Sequence, residues 1–163
     1  MEIPPRRATD DYLKPMGRSL DIACDIDVGE IVENHHLVIR GLERAPQGAM
    51  LHYELVPGAS FEEWHARGPE SFAWMVYASD DVGTVYRDNN SGAFGHASGA
   101  AAHGVRDVGA AVPSDARMLE LRFESPFARP RPGYPRSMVV DLVRGEMTLA
   151  DNGGRQPGRR TAR

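Results

Sequence analysis

The stretch from Phe72 to Tyr86 constrains the fold more than any other part of the chain. In an extended strand over residues 72–79, Phe72, Trp74 and Val76 lie on one face and Ala73, Met75 and Tyr77 on the other, so both faces are apolar. Such a strand is covered on both sides and lies near the centre of a sheet. Asp80, Asp81 and Gly83 then predict a tight turn, since glycine tolerates the positive φ that such turns need. With residues 84–86 returning as a second strand, the stretch predicts a central β-hairpin.

The same kind of pattern recurs along the chain. Leu20–Val28 alternates apolar with acidic or small residues, as expected for a strand with one buried and one solvated face. Two further strands, His35–Glu43 and Met50–Val56, flank a turn at residues 44–49, and this short spacing predicts a hairpin. The remaining predicted strands are Arg117–Glu124, Ser137–Val143 and Glu146–Leu149.

One short helix is predicted after the third strand. Ser60 and Glu63 have the spacing of a capping box, and Gly68 followed by Pro69 stops the helix. A helix of about two turns is not stable alone. We therefore expect Phe61 and Trp64 to anchor it over one end of the sheets.

These elements favour an all-β fold. About eight short strands, one short helix and no long helical period fit an antiparallel, immunoglobulin-like β-sandwich, with a jelly roll or a partly closed barrel as the alternative. The predicted organisation is an irregular N-terminal arm (1–18), the sandwich domain (19–150) and a flexible, arginine-rich tail (151–163). Residues 88–116 are rich in glycine and alanine and are predicted to be a long loop, and loops of this length are usually either functional or disordered.

Two motifs carry a resemblance to a known group of proteins. They are the Asp81-x-Gly83-x-x-Tyr86 turn and the strand that begins at Pro113 and ends at Phe123. With this order of strands, the chain resembles uncharacterised bacterial proteins with immunoglobulin-like β-sandwiches over residues 20–149. The resemblance implies that fold and a binding or structural role, and it transfers no active site. The antibody-type pair of cysteines is absent, because Cys24 is the single cysteine.

The amino-acid composition indicates which cellular compartment and which classes of partner to expect. A single cysteine suits a reducing compartment, and no apolar run approaches the roughly 20 residues of a membrane span. The first residues lack the apolar core of a secretory signal. A cytoplasmic protein with no membrane partner is expected. The net charge is −4 although residues 155–163 contain four arginines, so the remainder is more acidic and nucleic acid is disfavoured as a partner.

Two sets of residues are candidate metal ligands. Asp80, Asp81, Asp88 and Asn90 make the densest oxygen-rich region, and calcium prefers such ligands. Zinc would accept a second set, which comprises His36, His52 and Glu54. Aspartate and asparagine are also ordinary turn residues, and His52 and Glu54 fit a solvated cross-strand pairing with Arg40. The sequence therefore predicts no cofactor, with calcium as the alternative.

The chain shows no catalytic constellation. Ser98 with His96 or His103 is the one serine–histidine grouping in the glycine-rich segment, but a β-rich context is wrong for a nucleophile elbow. We therefore predict no catalytic residue. The Gly-rich segment also lacks the lysine and the following helix of a phosphate loop.

The resulting hypothesis is a non-enzymatic protein that acts through protein–protein contact. Its predicted binding surface combines the 88–116 loop with the 57–71 helix region, and the partner is another protein or a second copy of this chain. The predicted partner-binding residues are Trp64, Phe94, His96 and His103. The alternative is a calcium- or zinc-binding module, or a metal-dependent enzyme, that uses the loop carboxylates and histidines.

Overall fold

The computed structural model describes residues 20–68, 72, 74–87, 92–94, 102–124 and 133–150. The predicted N-terminal arm and C-terminal tail lie outside these ranges. Within them the chain forms strands and one α-helix, named here in chain order. They are β1 (Ile22–Val32), β2 (His35–Ala45), β3 (Gly48–Val56), α1 (Phe61–Arg67), β4 (Met75–Asp80), β5 (Gly92–Phe94), β6 (Ala102–Asp107), β7 (Met118–Glu124), β8 (Arg136–Asp141) and β9 (Glu146–Leu149).

The strands make two antiparallel sheets. One contains five strands in the order β1-β2-β3-β6-β5, and the other contains four in the order β4-β7-β8-β9. Neither order closes into a barrel among the described strands. The predicted all-β architecture of antiparallel sheets with one short helix is therefore confirmed, and it is consistent with a β-sandwich. No helix in the described ranges has the length and apolar character needed to cross a membrane.

The two sheets share one hydrophobic core. Leu119, Leu121 and Phe123 of β7 are fully buried, as their alternation predicts. Trp74 joins the sheets, because its ring lies 4.8 Å from that of Tyr53 in β3 and 6.2 Å from that of Phe123 (centroid distances). Burying each such side chain stabilises the fold by roughly 1.5–3 kcal/mol. The core thus lies between the faces that the sequence pattern assigns to it.

The predicted central hairpin is wrong in two respects, although Trp74 is a core residue as expected. β4 pairs with β7 and lies at an edge of the four-stranded sheet, and residues 84–86 are not a strand. The cause is Asp80, whose Oδ1 accepts hydrogen bonds from the backbone N–H groups of Val82 and Thr84, both at 3.0 Å. These N–H groups are therefore used within the turn and not in a hairpin ladder.

The prediction that residues 88–116 form one long loop is also wrong. The segment contains β5 and β6, and β6 pairs with β3 inside the five-stranded sheet. Gly104 shows why a glycine-rich sequence suits this strand. It lies opposite Tyr53, and a Cβ atom at position 104 would be 2.4 Å from the tyrosine ring. Glycine here marks close packing inside a sheet and not a loop.

Candidate functional site: an aromatic pocket beside helix α1

Helix α1 begins and ends where the sequence predicts. The Ser60 hydroxyl accepts a hydrogen bond from the Glu63 backbone N–H at 3.0 Å, and Gly68 ends the helix with φ of 80°. The Glu63 carboxylate faces the five-stranded sheet. Its Oε1 lies 2.6 Å from His35 Nε2 and accepts a hydrogen bond from Arg67 Nη1 at 2.9 Å. The helix is thereby attached to the first residue of β2.

The electrostatics of this attachment favour a charged carboxylate. Hydrogen bonding to His35 is the main cause that lowers the pKa of Glu63, and the Arg67 guanidinium lowers it further, against a smaller opposing effect of burial. His35 is buried, and its other ring nitrogen, Nδ1, lies 2.6 Å from the carbonyl oxygen of Pro57. A carbonyl oxygen can only accept, so Nδ1 is the donor in that bond. The position of α1 is thus fixed by polar contacts to buried groups.

Trp64 of this helix forms the outer wall of a pocket. Its ring stacks on Phe72 with centroids 5.0 Å apart and planes inclined by 20°. Trp74 lies deeper, against Tyr53, with planes nearly perpendicular. The partly open cavity between them has a volume of about 120 Å³. It is lined by Tyr53, Leu55, Trp64, Phe72, Trp74 and Arg106.

Arg106 supplies a positive charge to this apolar cavity. Its guanidinium carbon lies 4.1 Å from the centroid of the Trp74 ring, and its Nη1 donates a hydrogen bond to the Trp74 carbonyl oxygen at 2.8 Å. Arg106 belongs to β6, where it pairs with Leu51 of β3. The pocket therefore combines α1, the segment before β4 and the inner face of the five-stranded sheet.

A second polar cluster occupies the opposite face of that sheet. Arg40 donates to Asp25 from Nη1 at 2.5 Å and to Glu54 from Nη2 at 2.6 Å. The other oxygen of Glu54 lies 2.9 Å from Nδ1 of His103. The cross-strand pairing of Arg40 with Glu54 is as predicted, but its expected solvation is wrong. Arg40, His52 and Glu54 are all buried, as are neighbouring residues on both faces of β2 and β3.

Burial and hydrogen bonding act in opposite directions on Glu54. Burial alone raises the pKa of this carboxyl group, but hydrogen bonds from His103 and Arg40 outweigh it and lower the pKa below its usual value. Glu54 is therefore an ionised group held inside the protein by two donors. This arrangement is that of a structural ion pair with little access to solvent.

The histidines predicted as zinc ligands are separated into different pairs. His36 Nδ1 lies 2.9 Å from Oδ2 of Asp27, and His52 Nε2 lies 3.0 Å from Oε2 of Glu43. Glu54 is bound to Arg40 and His103. In the ranges that the structure describes, no group of three or more histidine, cysteine, aspartate or glutamate side chains is arranged to hold a metal ion.

Asp80 and Asp81 are used by the backbone around them. Asp80 also accepts a hydrogen bond from the Tyr86 hydroxyl at 2.8 Å. Partial burial raises its pKa, but the bonds from Thr84, Tyr86 and Val82 outweigh this and lower the pKa to about 2. Asp81 accepts from the backbone N–H of Arg117 at 2.9 Å. The remaining calcium candidates, Asp88 and Asn90, lie outside the described residues.

Of the predicted partner-binding residues, Trp64 and His103 lie on opposite faces of the five-stranded sheet. Trp64 lies in the pocket, whereas His103 contacts Glu54 on the other face of the sheet. Phe94 belongs to β5, opposite Gly104, and His96 and Ser98 lie outside the described residues. Sequence reasoning missed Tyr53, Phe72 and Arg106 as neighbours of Trp64. Arg106 could not have been found from the sequence of β6 alone, because its place in the pocket follows from the pairing of β6 with β3.

Comparison with protein-family models, with curated proteins and with solved structures found no match to this chain. The function is therefore argued from the geometry of the pocket.

Proposed function

We propose that this chain is a non-enzymatic, immunoglobulin-like β-sandwich that binds another protein in the cytoplasm through the end where α1 lies. The observation that carries the proposal is the aromatic pocket between α1 and the sheet. Aromatic side chains in such a pocket are the usual sites where one side chain of a partner contributes most of the binding energy. The surface joins the 57–71 region with the β6 part of the 88–116 region.

The size of the pocket favours a single inserted side chain. A volume of about 120 Å³ is well below the roughly 300–1,000 Å³ of pockets that enclose a drug-sized molecule. It is somewhat smaller than the cavity of about 150 Å³ that holds benzene. A branched aliphatic side chain, attached to a partner that stays outside, fits this space. Apart from Arg106 and the Tyr53 hydroxyl the lining is aromatic or aliphatic, which favours the insertion of an apolar side chain.

The test is site-specific photocrosslinking in the native host. A benzophenone amino acid replaces Glu62, an exposed residue of α1, and, as the matched control, Val143, which is 74% exposed in the turn between β8 and β9. We expect a heterologous adduct from position 62 and none from position 143. Adding Trp64→Ala should abolish the adduct while thermal melting still shows a folded protein.

Other outcomes contradict the proposal in distinct ways. Equal adducts from both positions, no adduct from position 62, or an adduct that survives Trp64→Ala would each exclude this surface. An adduct with twice the mass of the chain would show that the partner is a second copy of this protein and not a different protein.

A further inference from the structure

The contacts of His35 indicate how binding at the aromatic pocket is regulated. We propose that His35 is a buried imidazolium cation that holds α1 in place, so that raising the pH removes this cation, releases one attachment of the helix and weakens binding at Trp64. The link to binding rests on the proposed function. The charge of His35 and its effect on α1 rest on the contacts alone.

Both ring nitrogens of His35 face acceptors. Nδ1 lies 2.6 Å from the carbonyl oxygen of Pro57, and Nε2 lies 2.6 Å from Oε1 of Glu63. A carbonyl oxygen and an ionised carboxylate accept hydrogen bonds and donate none, and a neutral imidazole carries only one N–H. A neutral ring would therefore direct a nitrogen lone pair at an acceptor oxygen. The cation donates to both.

The proton between His35 and Glu63 belongs to His35. Oε1 of Glu63 also accepts a hydrogen bond from the Arg67 guanidinium at 2.9 Å, which favours a negative carboxylate. Both interactions lower the pKa of Glu63, and the hydrogen bond to His35 is the largest cause. A buried cation needs a hydrogen-bonded partner of opposite charge to offset the loss of its hydration, and Glu63 provides one.

Among the described residues, the charged groups around His35 come from α1 and from the turn between β1 and β2. Glu63 is in direct contact, and Arg67 donates both to Glu63 and to the carbonyl oxygen of Glu33. The residue of β1 that pairs with His35 is Val32, which does not titrate. Glu63 is therefore the group that responds most directly to the charge of the ring.

This charge affects the pocket through α1. Trp64 follows Glu63 in the helix, and its ring stacks on Phe72 to form the outer wall of the cavity. The hydrogen bond from Arg67 to the Glu33 carbonyl oxygen, at 3.0 Å, does not depend on the proton and keeps part of the attachment. Loss of the cation should therefore loosen α1 without unfolding the protein, and it should lower the fraction of molecules that are competent to bind.

The attachment should be strongest within a window of pH. The pKa of Glu63 is lowered from its ordinary value of 4.5, so the contribution of its carboxylate is fully present above pH 4.5 and is lost as the pH falls through the lowered pKa. The contribution of the His35 cation is present at low pH and is lost as the pH rises and the ring releases its proton. Histidine is the side chain whose charge changes near neutral pH. Binding should therefore weaken on the alkaline side.

The first experiment measures the protons on the ring and the attachment of α1. Long-range ¹H–¹⁵N NMR of the full chain should show both nitrogens of His35 protonated at pH 5.5 and only one at pH 9.5. Over the same titration, the hydrogen-exchange protection factors of the Trp64 and Gly68 amides should fall at least about threefold, because a helix of two turns is not stable when detached.

The second experiment measures the consequence for binding. The probe is N-acetyl-L-leucinamide, which is neutral at every pH used and carries the aliphatic side chain proposed for the pocket. Trp64 and Trp74 are the two tryptophans of the chain and both line the cavity, so tryptophan fluorescence reports binding. We expect about three- to tenfold weaker binding at pH 9.5 than at pH 5.5, because a hydrogen bond between charged groups is lost and Arg67 retains part of the attachment.

Glu63→Gln is the decisive variant, because a carboxamide can donate to a neutral imidazole. It should leave His35 with one N–H at a pH where the wild type has two, and it should remove most of the pH dependence. His36→Gln is the matched control, since Nδ1 of His36 lies 2.9 Å from Oδ2 of Asp27 in a pair that joins β1 to β2. It should keep the full pH dependence. His35→Gln should abolish it, and if melting shows that this variant fails to fold, Glu63→Gln carries the test.

Several outcomes would overturn the proposal. They are a His35 ring with one N–H at pH 5.5, a ring that keeps both protons at pH 9.5, and protection of α1 that does not follow the titration of the ring. A pH dependence that survives Glu63→Gln, or that His36→Gln removes, would contradict it as well. Equal binding of the probe at both pH values would exclude the effect on the pocket.

Failure here is separable from failure of the proposed function. If the probe binds at neither pH, the ligand assigned to the pocket is wrong, whereas the ring protons and the protection of α1 still decide the charge of His35 and its effect on the helix. The crosslink at position 62 decides whether α1 faces a partner.

Discussion

At the scale of single residues, side chains that resemble ligands turn out to organise the backbone. Asp80 accepts hydrogen bonds from the N–H groups of Val82 and Thr84, from the Thr84 side chain and from the Tyr86 hydroxyl. Burial is the main cause that raises the pKa of the Tyr86 hydroxyl, and the hydrogen bond to Asp80 and the charge of Asp80 raise it further. The motif that spans Asp81, Gly83 and Tyr86 is therefore explained by the geometry of a turn.

Asp80→Ala should destabilise the protein by about 1–3 kcal/mol, because it leaves several donors without their acceptor. The pKa of Asp80 is depressed from 3.8 to about 2, so its contribution to stability is fully present above pH 3.8 and is lost as the pH falls toward 2. Urea unfolding at pH 7, 5 and 3 measures both effects. The difference between variant and wild type should shrink at the lowest pH.

Asp115→Ala is the control, since Asp115 is exposed in a neighbouring turn. It should change the free energy of unfolding by less than about 0.5 kcal/mol. A cost for Asp80→Ala that is equally small, or that grows as the pH falls, would contradict this account of the turn.

At the scale of elements, the sequence predicts strands well where one face is apolar and the other is polar. β1, β7 and β9 show such a pattern, and the structure confirms each as a strand. The sequence pattern fails to predict an element where contacts with residues distant in sequence decide its structure. Nothing local to β6 shows that Gly104 must admit the ring of Tyr53, and nothing local to β4 shows that its partner is β7.

The residues of the candidate site fall into the same two groups, those that the sequence indicates and those that only the structure reveals. Trp64 is recognisable from the sequence as an anchor on a short, capped helix. The contribution of Arg106 is not recognisable, because it depends on the pairing of β6 with β3 and on the approach of Trp74 from the other sheet. Burial of Arg40 and Glu54 is likewise hidden, since polar residues on a strand normally indicate a solvated face.

The buried pair of β2 and β3 gives a prediction for these elements. Glu54→Leu should destabilise the protein by about 3–5 kcal/mol, because the Arg40 guanidinium remains buried without that carboxylate. The double variant Arg40→Leu/Glu54→Leu should be more stable than Glu54→Leu alone, since no buried charge of the pair remains. Asp25 and His103 are partly exposed and can be solvated.

A double-mutant cycle in guanidinium chloride measures this coupling. Glu120→Leu is a matched control on an exposed position of β7 and should be close to neutral. Additive effects of the two single substitutions at Arg40 and Glu54 would show that the pair is not coupled.

At the scale of the whole molecule, the two sheets are held together by contacts at both flanks of the core. Arg136 Nη1 and the Tyr134 hydroxyl donate to the Val28 carbonyl oxygen at 2.6 and 3.1 Å. Cys24 in β1 lies 3.5 Å from the sulfur of Met147 in β9. On the other side, Trp74 contacts the rings of Tyr53 and Phe123. The sheets should therefore unfold as one cooperative unit.

Denaturant unfolding monitored by tryptophan fluorescence and by far-ultraviolet circular dichroism should give coincident transitions. Trp74→Phe keeps part of the contact between the sheets, whereas Trp74→Ala should cost about 3–5 kcal/mol while the transition measured by circular dichroism stays single. A fluorescence transition at lower denaturant would instead show that the pocket end opens by itself.

The order of the strands along the chain also determines when the four-stranded sheet can form during synthesis. β4 pairs with β7, and Asp80 lies opposite Leu119, which is synthesised about 40 residues later. At about 5–20 residues per second, a ribosome needs several seconds to produce that partner. Until then Trp74 and Val76 have no four-stranded sheet to complete their burial. A nascent chain of this fold therefore leaves these apolar side chains incompletely buried for several seconds, and pairings of such long range make its refolding slow.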